Sequence, residues 1–268
     1  MTLTLRPERP SDHRAVELLT REAFWGTEVP RCTEHLLVRR LRDAPSFVPE
    51  LDVVAETAGA VVGNVMWTRA RVVEQGSDGE TAHDVLTFGP LSVLPAFQNS
   101  GVGAALMRHT IAEAARLGHR AVVVYGHPDY YPRFGFGRAA DVGITAPGGA
   151  TFDGLMARAL VPGGLDGVRG EFHEDPLFHV DAVEAEAFDL AEFPAKEPAT
   201  LTPLDVLDGH VPAGVVDGLR AIGVPTLEMA RRMSAAEAAR IPGVGPDGAV
   251  ALAAFLRGRG MRWGAGRH

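Results

Sequence analysis

One cysteine, one lysine and no apolar run approaching a membrane span are what this chain offers where other chains are rich, and each shortage removes a class of explanation. Cys32 alone permits no intrachain disulfide and no thiolate metal cluster. Crossing a bilayer takes about 20 consecutive apolar residues, and no such run exists in the 268 residues. The opening Met-Thr-Leu-Thr-Leu-Arg-Pro-Glu has no basic stretch followed by an apolar core, so no secretory signal is read and a cytoplasmic protein without membrane attachment is expected. Ten histidines are present, but none forms HxxxH or HExxH, so no resident metal is expected. Lys196 stands alone against 25 arginines, a bias read as genomic rather than functional.

What is present is a packed globular composition, 46% hydrophobic and 22% charged, long enough for one large domain or one plus a small one. The net charge of −8 is unevenly held: residues 1–198 carry 28 acids and 18 basic side chains, residues 199–268 carry 6 acids and 8 arginines. The chain is organised around Leu91 to Gly118. Asp84 to Val93 reads as a strand, apolar and β-branched. Val102, Ala105, Leu106, His109, Ala112 and Ala115 then recur at helical spacing up to Gly118, a C-terminal stop. Between them lies Gln98-Asn99-Ser100-Gly101-Val102-Gly103. Such a loop turns the unpaired amides and positive dipole end of a helix towards an anion. It lacks the third glycine of GxGxxG and the lysine of Walker A, which excludes the two commonest nucleotide loops.

The remaining pattern, Gln-x-x-Gly-x-Gly after a strand ending in Leu-Ser-Val-x-Pro, resembles the acetyl-CoA pyrophosphate loop of the GCN5-related N-acetyltransferase (GNAT) superfamily. A second stretch agrees. Ala121 to Gly126 is a continuous apolar strand of the buried type, followed by His127-Pro128-Asp129-Tyr130-Tyr131-Pro132-Arg133-Phe134-Gly135-Phe136. The spacing of Tyr131, Gly135 and Phe136 fits the GNAT pattern of a strand, a short helix carrying Tyr, then Gly-Phe. The fuller string is similar to the YhbS-related subgroup of acetyltransferases. The resemblance covers about residues 3–180 and implies an α/β (α+β) GNAT fold, a mixed, mostly antiparallel sheet with splayed central strands and flanking helices. Dimers are frequent in that superfamily, and a homodimer stays an open expectation.

In chain order, Thr2–Arg6 reads as an edge strand, and Ser11 or Asp12 as the cap of a helix through Ala15, Leu18, Leu19 and Phe24. A second helix is read over Cys32–Leu41. The resemblance implies that the loop Trp25–Pro30 between them shapes acceptor choice. Leu51–Glu56 and Val61–Val73 read as a hairpin around Ala58-Gly59. Gly89-Pro90 inside the central strand calls for a bulge, because proline removes a ladder donor. Two further strands are expected at Leu155–Leu160 and Gly170–Val180. The division expected is a GNAT domain over 1–181, an Ala-, Glu- and Pro-rich linker over 182–202 with partly helical structure as its other reading, and a small all-α domain over 203–268. In that tail, short helical patterns over 215–222, 227–233, 235–240 and 249–257 flank Ile241-Pro242-Gly243-Val244-Gly245-Pro246, which resembles a helix-hairpin-helix. That motif binds nucleic-acid backbone through hairpin amides. Asp247 in place of a basic residue and a mildly positive charge argue against it, and packing on the enzyme or on a partner is favoured.

Acetyl transfer needs a bound thioester, a neutral nucleophile and a proton for the departing thiolate. The resemblance assigns acetyl-CoA to backbone groups of Leu91, Ser92 and Val93 and of Gln98, Asn99, Ser100, Gly101, Val102, Gly103 and Ala104, with one amide serving as an oxyanion donor. Tyr131 is the candidate acid, since a phenol near pKa 10 can protonate a thiolate near 8.5; Tyr130 is the fallback. No base is assigned. Val85–Val93 contains no ionisable residue, and Glu28, His83, Asp84 and His127 are each read first as surface or structural groups. Arg133 and Arg138 are read as solvated, with contact to the CoA 3′-phosphate the other option. The expected activity is N-acetylation of a small-molecule or protein amine by direct attack in a ternary complex. The alternative is an acyl-CoA-binding regulatory module whose tail holds a nucleic acid or a protein.

Overall fold

The computed structural model describes residues 2–27, 29–77, 79–233 and 235–261. They form two compact units, one of residues 1–23 with 33–193, the other of residues 24–32 with 194 onwards. In chain order the first unit contains β1 (Thr4–Pro7), α1 (His13–Phe24), α2 (Glu34–Leu41), β2 (Val53–Thr57), β3 (Ala60–Gly76) and β4 (Gly79–Val93). It continues with α3 (Val102–Arg116), β5 (Ala121–Tyr125), β6 (Gly137–Arg138), β7 (Ile144–Thr145), β8 (Leu155–Ala159), β9 (Gly170–His173) and α4 (Ala182–Glu192). The strands make one sheet in the order β1-β2-β3-β4-β5-β8-β6, with β9 pairing both β3 and β7. Only β4–β5 and β7–β9 run parallel.

Local chemistry explains the elements. Ala58 and Gly59 both adopt positive φ, 50° and 78°, as a two-residue hairpin turn requires, and Thr57 pairs with Ala60. The strand period of two sorts residues between faces. Val53 and Ala55 join a cluster with Val102, Leu106 and Met107 of α3, whereas Val54 meets Val16 and Leu19 of α1. The sheet is thus a middle layer, with α3 on one face and α1 on the other. Burial of each such aliphatic side chain stabilises the fold by roughly 1.5–3 kcal/mol. Gly63 lets α3 approach closely, since a Cβ there would sit 2.8 Å from Val102 Cγ1. Leu18, expected on the buried stripe of α1, is 42% exposed; Val16, Leu19, Thr20 and Ala23 form the inner face.

One expectation about the chain beyond β8 is corrected. The last strand is not 170–180 but the four residues of β9, because Pro176 cannot donate to a ladder. Asp175 instead caps a 3-10 turn at Pro176–Phe178, accepting from Leu177 N at 2.9 Å. The segment read as a linker from 182 is helical in its first half. Asp181 caps α4 by accepting from Val183 N and Glu184 N at 2.9 and 3.0 Å. Asp189 on α4 pairs with Arg21 of α1, both nearly fully buried, and Arg21 Nη2 donates to Asp189 Oδ2 at 3.1 Å. Against this pair packs buried His35 of α2, with Phe188 and Phe193 at ring distances of 5.0 and 5.4 Å. A linker composition concealed one buried acid, and that acid ties the helix down.

The second unit holds α5 (Val215–Ala221), α6 (Leu227–Ala230), α7 (Ala235–Arg240) and α8 (Gly245–Gly258) around Leu204, Leu219, Leu227, Leu252 and Leu256. Helix α8 begins four residues before the periodic pattern, because Pro246 lies in its first turn, where no amide partner is needed. Between α7 and α8 the chain turns at 241–244, Val244 N donating to Ile241 O at 3.0 Å. Gly218 is required by that turn, since a Cβ on it would stand 2.5 Å from Pro242 O. The loop between α1 and α2 belongs to this unit. Pro30 O accepts from Ala199 N at 2.7 Å and Trp25 Nε1 donates to Glu197 O at 3.2 Å.

Candidate active site

Parallel β4 and β5 meet at a single register pair, Leu86 with Val122. Beyond it β4 continues to Val93 on the β3 side alone, Leu91 opposite Val65 and Val93 opposite Gly63. The other edge of Phe88–Val93 therefore has no ladder partner among the described residues, and a gap opens between the strand ends. The bulge expected at Gly89-Pro90 is present: the register slips between Val65 and Trp67, so one β3 residue faces two on β4. Ser92, buried, uses its hydroxyl for Thr20 of α1 at 2.9 Å, which leaves its backbone to line the gap.

At the end of β4 the glycine loop leads into α3. Gln98 Nε2 donates to Val93 O at 3.2 Å and Ser100 Oγ to Phe97 O at 2.6 Å, so two loop side chains brace the loop itself. Asn99 and Gly101 both have positive φ, 59° and 92°. The first helical bond is Ala105 N to Gly101 O at 2.9 Å, so the preceding amides face outward from the helix start. Successive amides in this conformation make a concave anion seat reinforced by the helix dipole.

Tyr131 opens a 3-10 turn (Tyr131–Phe134) after β5 and is positioned by close contacts. Its amide donates to His127 O at 3.3 Å. Its ring lies 5.5 Å from Phe88 of β4 and 5.5 Å from Phe136. It presses on Gly126, where a Cβ would be 2.3 Å from Tyr131 Cε2. Glycine at 126 is thus what admits the phenol to the gap. Burial pushes the Tyr131 phenol above its ordinary value, and Tyr130 adds to the shift. Tyr130 is itself buried, between Phe134 and Arg133.

The base candidates from sequence are dispersed. His83 and Asp84 lie on β4 before the Leu86 pair, and Asp84 faces solvent beside Arg71 at 3.6 Å. His127 starts the turn that carries Tyr131. Glu28 lies outside the described residues. Arg138 pairs with Asp153 at 3.0 Å.

One carboxylate that sequence reading missed borders an open groove along the β3–β4 ribbon. Glu174 follows β9, makes no hydrogen bond or ion pair among the described residues, and is pushed up to about 7 by burial. Burial raises the phenol of Tyr125, the last residue of β5, and the charge of Glu174 adds to that shift. Tyr125 stacks on Phe152 at 5.9 Å and meets Phe172 of β9 at 5.4 Å. Phe178, in the turn after Glu174, lies over Gly89, 3.3 Å from where its Cβ would be. The available signal was alternation, with Glu174 two residues after the apolar Phe172.

An open groove of about 1020 Å³ runs from Glu174 along the outer part of the β3–β4 ribbon, past Arg71, Asp84, His119 and Arg120. Its size does not make it the reaction centre, because most of it lies on the far side of the Leu86–Val122 pair from the gap. Among the described residues no three His, Cys, Asp or Glu side chains gather as a metal site, and no helix is long and apolar enough to cross a membrane.

Residues 50–138 match the acetyltransferase (GNAT) domain family. The chain is 38% identical over 112 residues to the uncharacterized N-acetyltransferase YjhQ of Escherichia coli K12, a match spanning 41% of this chain and 60% of that protein. It is 28% identical over 174 residues to the uncharacterized N-acetyltransferase YhbS of the same strain, covering 64% of this chain and 97% of the relative. The crystal structure of Escherichia coli YhbS in complex with CoA superposes with a TM-score of 0.56 at 26% identity, over 66% of this chain and 91% of that one. A GNAT acetyltransferase from Brucella melitensis in complex with acetyl-CoA gives 0.52 at 28% identity, over 66% and 99%.

Proposed function

We propose that the chain is a GNAT-type N-acetyltransferase, as its match to that domain family and its likeness to YhbS support, and that its first unit moves an acetyl group from acetyl-CoA to a primary amine by direct attack within a ternary complex. The observation that carries the reading is the gap itself. Two parallel strands share one register pair, an amide-lined helix start stands at one strand end, and a phenol is lodged between the strands.

Each part has a physical task. The amides of residues 99–104 hold the pyrophosphate, and Gly101 offers no side chain to obstruct it. The free edge of Leu91–Val93 hydrogen-bonds the pantetheine as an added strand would, and one of its amides polarises the thioester carbonyl as negative charge develops there. Tyr131 protonates the departing thiolate. Its upward-shifted phenol stays protonated until the sulfur, desolvated in the same gap, becomes the stronger base. Arg133, over the Tyr130 ring at 4.7 Å, and Arg108, over Phe134 at 5.7 Å, supply positive charge beside that turn for the 3′-phosphate. The YhbS and Brucella relatives, solved with CoA and acetyl-CoA, support the choice of cosubstrate.

The second unit is read as a helix-hairpin-helix-like packing domain. Asp247 in the first turn of α8 opposes phosphate at the place where that motif would grip it. Steady-state acetylation of a panel of primary amines tests the main reading. Acetyl-CoA-dependent amide formation that collapses in Tyr131→Phe supports it, and acetyl-CoA binding with no transfer to any amine favours an acyl-CoA-binding regulatory role.

A further inference from the structure

The face of the gap opposite Tyr131 is built as a receptor for a cation on an apolar carrier. Tyr125 and Gly126 are consecutive: Gly126 supports the Tyr131 ring, while Tyr125 joins the cluster on the other face, stacked on Phe152 and against Phe172. Tyr125 is 39% and Phe152 46% exposed, so this aromatic stack is open to an incoming molecule. Glu174 follows Phe172 by two residues and borders the open groove, with no guanidinium or amide of the described residues engaging its carboxylate. Burying an acid without a partner disfavours its ionised form, and a cation arriving at the site relieves that cost. Aromatic faces attract the same ion.

Resting on the acetyltransferase reading above, we propose that Glu174 receives the acceptor's ammonium group and takes its first proton, and that Tyr125, Phe152 and Phe172 form the wall for an apolar or aromatic body, so that the acceptor is a hydrophobic primary amine. The protons balance. Glu174 removes one proton from R–NH3+ and passes it to the water of the 1020 Å³ groove that it borders. The neutral nitrogen attacks the thioester carbon as the C–N bond forms. The C–S bond breaks on collapse, the thiolate takes its proton from Tyr131, and the proton lost by the new amide nitrogen restores Tyr131. The sum is amide, CoA thiol and one released proton. Phe178 over Gly89 confines the amine to the strand end where the thioester carbonyl is placed.

The test uses the full chain with acetyl-CoA and two amines of matched reach, 2-phenylethylamine and ethanolamine. The wild-type protein is expected to prefer the aromatic amine in kcat/KM by at least tenfold, in line with what an apolar pocket discriminates. Glu174→Gln is expected to lower kcat/KM for 2-phenylethylamine about 100-fold, with acetyl-CoA affinity unchanged within twofold and partial rescue in Glu174→Asp. Phe152→Ala is expected to lower kcat/KM for 2-phenylethylamine at least tenfold and so to remove the preference. Glu174→Gln with full activity, or a wild-type protein that transfers to ethanolamine as well as to 2-phenylethylamine or to neither while still binding acetyl-CoA, overturns the proposal without touching the cofactor site. Loss of acetyl-CoA binding by the wild type would instead mark failure of the acetyltransferase reading.

Discussion

The two faces of the gap between β4 and β5 are built from different materials. On the α3 side the groups proposed to hold acetyl-CoA are backbone: amides at a helix start, a strand edge without a ladder partner among the described residues, and glycines that leave room. On the β9 side the groups proposed to meet the acceptor are side chains: Glu174, Tyr125, Phe152 and Phe172. A cosubstrate shared by many enzymes can be held by main chain, which every sequence supplies in the right conformation if its glycines are placed. An acceptor particular to one enzyme has to be met by side chains. Tyr131 stands between the two, a side chain held by a glycine.

The contrast can be broken where it is sharpest. Tyr131→Phe is expected to lower kcat by about 10²–10⁴-fold, the usual contribution of a positioned acid, while leaving acetyl-CoA affinity nearly unchanged; an unaltered kcat removes Tyr131 from the chemistry. Asp189→Ala removes the buried carboxylate that pairs with buried Arg21, and loss of about 3–5 kcal/mol of stability is expected in denaturant unfolding. Gly126→Ala drives a methyl group into the Tyr131 ring and should depress kcat far more than stability, because the ring is displaced into the gap. Normal kcat in that variant would mean that the phenol need not sit where it does.

Weaker effects sharpen the same contrast. His35 is lowered to about 4, chiefly by burial, although Asp189 at 3.4 Å pulls the other way. The unfolded chain binds this proton near pH 6.5 and the folded chain only near 4, so stability should fall as pH drops through that window, by up to about 1.4 kcal/mol per unit. A profile no flatter in a His35→Gln variant than in the wild type would contradict it. Gly101→Val, at φ 92°, is expected to weaken acetyl-CoA binding with a backbone cost of about 1–2 kcal/mol, whereas Ser100→Ala should do much less, since its hydroxyl only braces Phe97 O.

The same division explains what could be read from the residues alone. The loop at 98–103, the strand at 121–125, the turn carrying Tyr131 and the bulge at Gly89-Pro90 follow from glycine, proline and apolar spacing, which act locally. Glu174 and the aromatic cluster were not legible, because β9 returns to pair with β3 from a hundred residues away and no local pattern announces that pairing. What holds helix α4 in place was hidden for a related reason. Its anchor is one acid, Asp189, whose partner Arg21 is remote in sequence. Leu18 misled because an exposed leucine and a buried one look alike in a helical pattern until the neighbouring strand is placed.

The most direct measurement is a crystal structure of the full chain with CoA. The account predicts the pyrophosphate on the amides of residues 99–104, the pantetheine along Leu91–Val93, and the sulfur in the gap within hydrogen-bond reach, about 3.2–3.5 Å, of the Tyr131 hydroxyl. CoA bound with its sulfur outside the gap, or lying in the outer groove beside Arg71 and Arg120, would contradict it.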